Sequence, residues 1–584
     1  MLSGIFRLRA AWRRTVTHSD RAERTDPRTT ASGRPDFFDD RTLFWCGYLV
    51  LLPLYLLPLL VTRFLPGLDL PLHLSLVDAV AKSMTEGTPQ HTLYEAHFSP
   101  SGYFAYYFLL YQLGKLCSLS VAHRLIISAM IAGLPLACAR LSRVLGIVSF
   151  PSLLAFPLAY SMPLHYGFVS FACSTPILVF FIAQTLVVLR APRLIPTDIG
   201  LLAALGLLLY LCHVQTYGLA LVTACALCCA PGAVRAARVA ALLSMLPSLI
   251  VLYLWQSRGI FSADLALSVA QAPRKGLWYT LHSFFHARLS ELSSPSRLLF
   301  DPLHRLFLFQ VHLLRGFRDY SDQVMSNVFL IALAVLIGLG LVVGRAHQKD
   351  AEPPDSPRAL RLLPPLLALG AYLALPHHIA EFQTIYPRFA ILSAVLSFSL
   401  IPPALRLLPR LWIRRLFVLC AASSLVYALV LTRHYVRYGR ELADFATVLD
   451  ATPSGGKAVG WVFGGGDSRV LSSGAQLANL PAYYSIERRS SHSMVAVTFC
   501  GAPGSLCRKR PDAARIPLLD SFHPERTPLA DAAAYFDYFI TYAAPLDWRP
   551  LGLQNDQLDP IARAGLWTVY RKNPKVGMGS PKKE

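Results

Sequence analysis

An aspartate and a histidine directly follow the first long apolar segment of the chain. Asp69 and His73 lie in the sequence Gly67-Leu68-Asp69-Leu70-Pro71-Leu72-His73. If a helix begins at Pro71, the two side chains lie on one face, four residues apart. Such a pair could be a general base with a phosphate contact, or two metal ligands. The structural alternative is that Asp69 only caps this helix by accepting hydrogen bonds from its backbone N–H groups.

Other polar side chains interrupt apolar sequence further along the chain. Polar groups are costly at membrane depth and usually face a cavity or a site, so we treat these residues as substrate-binding candidates. Arg388 could bind an anion through two hydrogen bonds. For His213, a hydrogen-bonded structural role is as good an interpretation as a catalytic one. The candidates are Glu95, His165, Tyr166, His213, His377, His378, Glu381 and Arg388.

The composition is typical of an integral membrane protein. Of the 584 residues, 54% are hydrophobic and 15% are charged, and the mean hydropathy is +0.44. The net charge of +21 could indicate nucleic-acid binding, but the basic residues lie in short clusters between apolar segments. The excess of Lys and Arg in cytoplasmic loops of membrane proteins explains these clusters better. We therefore expect membrane lipids, and no nucleic acid, as partners.

Apolar segments of spanning length, oriented by the arginine clusters, predict about eleven membrane spans. The spans are expected near 43–61, 121–139, 145–162, 168–189, 199–212, 214–230, 237–256, 326–344, 360–376, 387–405 and 413–432. An odd number of spans places the two ends of the chain on opposite sides. The expected parts are a disordered cytoplasmic N-terminus (1–41), a transmembrane domain (42–432), an extracytoplasmic α/β domain (433–574) and a disordered tail (575–584).

In this topology every candidate residue falls on the outer side. The first outer loop (63–102) carries Asp69, His73 and Glu95, and the others lie in later outer turns. The topology depends on arginines alone, so this gathering is partly independent support for an outward-facing polar site. A long outer loop (257–325) contains the basic and apolar stretch Leu303–Arg315, which predicts a helix lying in the membrane interface.

The C-terminal portion predicts a small α/β domain. A helical pattern over 440–451 is followed by the strand-like segments Lys457–Phe463, Tyr535–Tyr542 and Leu566–Tyr570. Gly464-Gly465-Gly466-Asp467 could cradle an anion, although a plain turn is the better interpretation. Cys500 and Cys507 could form a disulfide if this domain faces an oxidising space.

The order of these features resembles the GT-C superfamily of integral membrane glycosyltransferases, in particular bacterial relatives of the dolichyl-phosphate-mannose and aminoarabinose types. The shared order is a signal anchor, an outer loop beginning with an acid, spans of irregular length, a late outer turn ending in arginine and a soluble C-terminal domain. The motifs that carry the resemblance are Asp69-Leu70-Pro71-Leu72-His73, His165-Tyr166-Gly167-Phe168-Val169-Ser170-Phe171, Tyr210-Leu211-Cys212-His213 and Tyr386-Pro387-Arg388-Phe389.

The resemblance implies inverting transfer of a hexose or pentose from a polyprenyl-phosphate donor to an envelope acceptor, outside a bacterial cytoplasmic membrane. Asp69 would deprotonate or orient the acceptor, and Arg388 would contact the lipid phosphate. Many members carry a second acid close to the first, but Leu70 to Leu72 contain none. Asp78, Glu95 or Glu381 would have to serve instead, which leaves dependence on a divalent metal open.

Two other classes stay open beside the enzyme. A transporter or flippase of lipid-linked or small substrates also has about a dozen spans, but it usually shows matching halves with broken helices. No internal repeat is visible in this sequence. A catalytically inactive scaffold of an envelope-assembly complex would use the same polar residues only for folding. Indifference of the protein to substitution of Asp69 would favour the scaffold.

Overall fold

The computed structural model of the protein describes residues 40–98, 100–231, 234–257, 295–346, 358–377, 384–472, 474–488, 492–493, 507–510, 524, 529–551 and 553–573. The described chain is mainly helical, with a small sheet near its C-terminus. The predictions for the N-terminal segment before Asp40, for 258–294 and for the C-terminal tail lie outside these residues. So do the candidates His378 and Glu381, and Cys500.

Helices form most of the described chain. The longer ones are α1 (Asp40–Leu60), α2 (Leu70–Ser83), α3 (Phe104–Gly114), α4 (Leu119–Val144), α5 (Val169–Arg190), α6 (Pro196–Cys212), α7 (Val214–Cys229), α8 (Arg235–Leu243), α9 (Leu246–Ser257), α10 (Pro295–Leu314), α11 (Ser321–Ala346), α12 (Arg358–Ala374), α13 (Phe389–Leu396), α14 (Arg410–Glu441), α15 (Ala443–Ala451) and α16 (Leu529–Tyr535). Single helical turns lie at Pro89–Leu93, Phe150–Leu154, Ala155–Ala159, Met162–His165, Tyr386–Arg388, Ser397–Leu400, Pro403–Leu407 and Tyr483–Glu487.

The described residues contain six helices that are long and apolar enough to cross a membrane. They are α1, α4, α5, the segment Arg235–Trp255, α11 and α14. Four further apolar helices have only 10–17 residues and overlap the predicted spans 199–212, 214–230, 360–376 and 387–405: Pro196–Cys212, Val214–Cys229, Ala359–Ala374 and Tyr386–Leu400. The chain is therefore a helical membrane protein, and the structure supports fewer full-length spans than the eleven predicted.

The predicted span at 145–162 is not a continuous helix. This segment forms a 3₁₀ turn at Phe150–Leu154 and the short helices Ala155–Ala159 and Met162–His165. Prolines at 151, 157 and 163 explain the breaks, since proline cannot donate the backbone hydrogen bond of a helix interior. Nearly the whole segment is buried within the protein, where irregular backbone is tolerated at membrane depth.

The C-terminal domain is a small sheet with helices beside it. Its strands are β2 (Lys457–Val462), β3 (His492–Ser493), β4 (Cys507–Lys509), β5 (Tyr538–Tyr542), β6 (Leu558–Ala564) and β7 (Trp567–Lys572), and a further strand, β1 (Tyr94–Ala96), lies in the loop that follows α2. The larger sheet has the order β3-β2-β5-β7-β6, with β2 parallel to β3 and β5, and β7 antiparallel to its two neighbours. The three strand-like segments predicted from the sequence are confirmed, since β2, β5 and β7 lie within or largely overlap them. β6 was missed because it contains Pro560 and an irregular register typical of an edge strand.

The C-terminal domain is joined to the loop that follows α1. Arg63 pairs with Asp450 at 2.8 Å and with Glu487. Strand β1, in the predicted first outer loop, pairs antiparallel with β4 of the C-terminal domain. Helix α14 contributes as well, because its 32 residues make a rod of about 48 Å that exceeds the ~30 Å hydrocarbon core of a membrane. The loop and the C-terminal domain therefore form a shared layer on one end of the helices.

Candidate functional site

Two of the motifs identified in the sequence meet as a short backbone ladder. The N–H of Leu68 donates to the carbonyl of His165, and the N–H of Asp69 donates to the carbonyl of Tyr166, both at 3.3 Å. The next residue, Gly167, has a φ of +89° and lies against the Asp69 backbone. A β-carbon at Gly167 would be 2.6 Å from the Asp69 nitrogen, so only glycine allows this approach.

Asp69 precedes helix α2 but does not cap it. Its backbone has φ −91° and ψ 0°, and its side chain makes no capping hydrogen bond among the described residues. The residue is half-buried, so solvent still reaches its side chain. Burial raises the pKa of the Asp69 carboxyl to about 6, and the positive charge of Arg388 opposes part of this rise. The capping alternative is therefore not the role that the structure gives this carboxylate.

His73 lies one turn after Asp69, with both ring nitrogens engaged. Nε2 lies 3.1 Å from the carbonyl oxygen of Gly167, and Nδ1 lies 2.6 Å from the hydroxyl of Tyr107. Burial lowers the pKa of His73 to about 4, although the bond to Gly167 favours the charged form, so the ring is neutral at pH 7. A carbonyl only accepts hydrogen bonds, so Nε2 carries the proton and Nδ1 accepts from Tyr107. This arrangement ties α2 to α3 and to the Gly167 turn.

Arg388 supplies the positive charge of the site. It lies in the turn Tyr386–Arg388 before α13, is only 8% exposed, and its Cζ is 3.6 Å from the centroid of the Phe168 ring. This is the geometry of a cation–π contact. The guanidinium is close enough to Asp69 and Tyr103 for electrostatic interaction with both. A buried arginine held on an aromatic face is pre-organised to bind an anion.

His213 forms part of the aromatic wall beside Arg388. It is the break between α6 and α7, and its Nδ1 accepts a hydrogen bond from the Gln215 N–H at 3.2 Å, as a helix N-cap. Its ring lies edge-on to Tyr103 at 5.0 Å and to Phe171 at 5.1 Å. The structural interpretation of His213 therefore holds, and the same residue also borders the site.

Tyr166 also lies at this wall, whereas other predicted site residues do not join it. The Tyr166 ring stacks on Phe168 at 6.0 Å. His165 contributes its backbone carbonyl, but its buried ring packs against Phe317, and a β-carbon added to Gly316 would be 2.8 Å from that ring. His377 lies beside Tyr386, with 5.6 Å between ring centroids.

The acids considered as partners of Asp69 lie elsewhere. Asp78 is nine positions along α2, which is the opposite helix face, and it pairs with Lys82 at 2.6 Å. Glu95 is exposed in β1, opposite Arg508 of β4. The described part of the chain contains no group of three or more His, Cys, Asp or Glu side chains that could hold a metal ion. The described residues around Asp69 thus do not fit a metal centre.

Two tyrosines of α3 and its N-cap were missed by reasoning from the sequence. Tyr103 faces Arg388 and His213, and Tyr107 holds His73. Their four-residue spacing places them on one helix face, which is the signal that could have identified them. Helix α3 itself has 11 residues, about 17 Å, and is too short to span a membrane.

The contact between Gly167 and Asp69 predicts a specific sensitivity. We expect Gly167→Ala to destabilise the protein by about 1–3 kcal/mol through the positive φ alone, and further through the clash with the Asp69 backbone. Thermal unfolding of the purified protein would measure the loss.

Gly87→Ala is the matched control for this substitution. Gly87 also has a positive φ, +81°, but nothing lies within 4 Å of an added β-carbon. Equal destabilisation by the two alanine variants would contradict a special close approach at Gly167.

The chain matches no protein-family model, and no curated protein is significantly similar to it in sequence. The geometry of the site therefore carries the interpretation of its chemistry. That geometry is a half-buried carboxylate close to a buried guanidinium, with the rings of Tyr103, Phe168 and His213 beside them.

Proposed function

We propose that the protein is a membrane glycosyltransferase of GT-C type that moves a sugar from a polyprenyl-phosphate donor to an envelope acceptor. The observation that carries the proposal is the pairing of Asp69, which has no capping hydrogen bond among the described residues, with the buried Arg388. The first group can take a proton, and the second can bind a phosphate.

The proposed reaction uses these two groups in one displacement. Asp69 accepts the proton of an acceptor hydroxyl while the acceptor oxygen bonds to the anomeric carbon of the donor sugar. The bond between that carbon and the phosphate oxygen breaks, and polyprenyl phosphate leaves with the electron pair. Arg388 stabilises the charge that develops on the departing phosphate. Attack from the opposite face inverts the anomeric carbon.

Neighbouring side chains support these roles without reacting themselves. A pKa of about 6 leaves Asp69 mostly deprotonated at pH 7 and still basic enough to take a proton. His73 is a positioning residue in this mechanism, since its two hydrogen bonds hold the start of α2. The ring of Tyr103, which is partly exposed beside His213, offers an apolar face for a sugar ring. Arg388 takes the part of the cation, so no step is assigned to a metal.

The proposed location is a bacterial cytoplasmic membrane, with the N-terminus inside and the C-terminal domain outside. The arginine clusters support this orientation. Cys507, in β4, takes part in a disulfide, whereas nine cysteines of the described helical part are free. Disulfides persist in oxidising compartments. Because β4 pairs with β1, the loop that carries Asp69 lies on the same side as this disulfide.

The pH dependence of donor consumption tests the proposal. The purified protein is assayed with polyprenyl phosphates bearing single hexoses or pentoses, together with envelope glycans, lipids and proteins as acceptors, and release of polyprenyl phosphate is followed. Because the base must be deprotonated, we expect kcat/KM to rise about tenfold per pH unit below pH 6 and to level off above it.

Two results would contradict the proposed function. One is the absence of donor consumption across the whole panel. The other is movement of an intact lipid-linked sugar across a vesicle membrane without cleavage of its phosphate bond, which would identify a flippase.

A further inference from the structure

We propose that Asn479 and Gln476, two buried amides of the C-terminal domain, are positioning residues that hold the Asp69 loop in its working geometry. This inference rests on the proposed function, because it assigns these residues a role in that reaction. The C-terminal domain would then complete the active site. Neither residue touches the reacting atoms, and both act through the backbone of Leu68, the residue directly before Asp69.

Asn479 acts on the residue directly before Asp69. Its Nδ2 donates a hydrogen bond to the carbonyl oxygen of Leu68 at 2.8 Å, across a separation of 411 residues in sequence. The side chain is 2% exposed. Since the peptide bond after Leu68 leads to the Asp69 nitrogen, this bond fixes the plane of the peptide that positions the carboxylate.

Gln476 binds the segment that pairs with Leu68 and Asp69. Its Nε2 donates to the carbonyl oxygen of His165 at 3.3 Å, and the same oxygen accepts the N–H of Leu68. The N–H of Leu68 thus donates to the carbonyl of His165, while the carbonyl of Leu68 accepts from Asn479 of the C-terminal domain. Both amides are buried, so water does not compete for these carbonyls.

The segment that carries the two amides is itself held rigidly. The N–H of Leu477 donates to the carbonyl of Gly466 at 2.9 Å, and the N–H of Ala475 donates to Asp467 at 2.6 Å. Gly466 has a φ of +61°, and a β-carbon there would be 2.5 Å from Val462. The glycine-rich turn after β2 therefore supports the amide segment, which explains it without a bound anion.

If the hydrogen bond from Asn479 to Leu68 is lost, we expect Asp69 to be misplaced while the donor site stays intact. A displacement of about 1 Å far from the chemistry can lower a rate by about 100-fold. Arg388 lies on a different element and keeps its contact with Phe168. We therefore expect Asn479→Ala to lower kcat by about 10–100-fold and to change the dissociation constant of the donor by less than about threefold.

The test compares Asn479→Ala and Asn479→Leu with Asn573→Ala in the full-length protein. Asn573 also donates its Nδ2 to a backbone carbonyl, that of Asp556 at 3.1 Å, at the end of strand β7. Hydrogen exchange of the peptide covering Leu68 and Asp69 is measured with thermal unfolding, donor binding and kcat. The leucine variant keeps about the size of Asn479, removes the donor and buries no charge, which guards against a folding defect caused by the cavity of the alanine variant.

Faster exchange at Leu68 and Asp69 in both Asn479 variants, with reduced kcat and preserved donor binding, would support the inference. Unchanged exchange, or faster exchange with unchanged kcat, would overturn it. The exchange measurement is independent of the reaction. If the parent protein consumes no donor, the proposed function fails, and exchange alone decides whether the amides hold the loop.

Discussion

Asp69→Asn lowers donor turnover by about 10²–10⁴-fold and leaves the protein folded, which is the largest effect that we expect from any single substitution. Asparagine has the shape of aspartate but cannot accept the acceptor's proton. Folding is spared because the Asp69 side chain makes no capping hydrogen bond in the described structure. Turnover, donor binding and the unfolding temperature are compared between parent and variant, and binding is expected to persist.

Asp78→Asn is the matched control for this prediction. Asp78 lies on the same helix, and burial raises the pKa of its carboxyl to about 6 as well, while Lys82 opposes the rise. Because Asp78 is committed to an ion pair with Lys82 on the opposite face, its loss is expected to affect stability and not turnover. Equal turnover by parent and Asp69→Asn would refute the base and favour an inactive scaffold.

Replacing Arg388 with methionine is expected to weaken the use of the donor by about two orders of magnitude. A hydrogen bond to a charged group contributes about 1.5–3 kcal/mol, and the larger figure corresponds to roughly 150-fold in kcat/KM. The substitution also removes the cation that lowers the Asp69 pKa. The acidic limb of the pH profile of the residual activity therefore moves above pH 6. No other candidate substitution is expected to give both effects.

Two further variants separate the functions of Arg388. Arg388→Lys keeps a charge but loses the planar fork, so it is expected to recover the position of the pH limb better than the donor affinity. The double variant Asp69→Asn with Arg388→Met shows whether the two residues act in one step, since losses that do not add indicate coupling. A pH limb that stays at 6 in Arg388→Met would contradict the electrostatic contact.

Much of the candidate site could be predicted because the membrane makes polar residues conspicuous. Asp69, His73, His213 and Arg388 interrupt apolar sequence, and the structure brings Asp69 and His213 close to Arg388, with His73 one helical turn after Asp69. The mainly helical class and the C-terminal α/β domain followed from hydropathy and strand patterns. The span at 145–162 was wrong because hydropathy does not register three prolines in a buried, irregular segment.

The remaining features depend on contacts that no local pattern encodes. The separation of Asn479 from Leu68 has no periodicity, and a buried asparagine has no distinctive neighbours in sequence. His165 has the residue type of a ligand, but its ring packs against Phe317 and only its carbonyl serves the site. Tertiary packing decides which way the side chain of a residue points, and so whether its side chain or its backbone contributes to the site.

Because Leu68 and Asn479 are 411 residues apart, their hydrogen bond forms late in biosynthesis. At about 5–20 residues per second, a ribosome needs roughly 20–80 s to make the chain between the two residues. During that interval the membrane helices enter the bilayer while the Asp69 loop still lacks its clamp. A nascent chain that lacks the C-terminal domain is thus expected to be inserted in the membrane but inactive. The same holds for a truncated chain, so catalytic activity is expected only once the last quarter of the chain has been made.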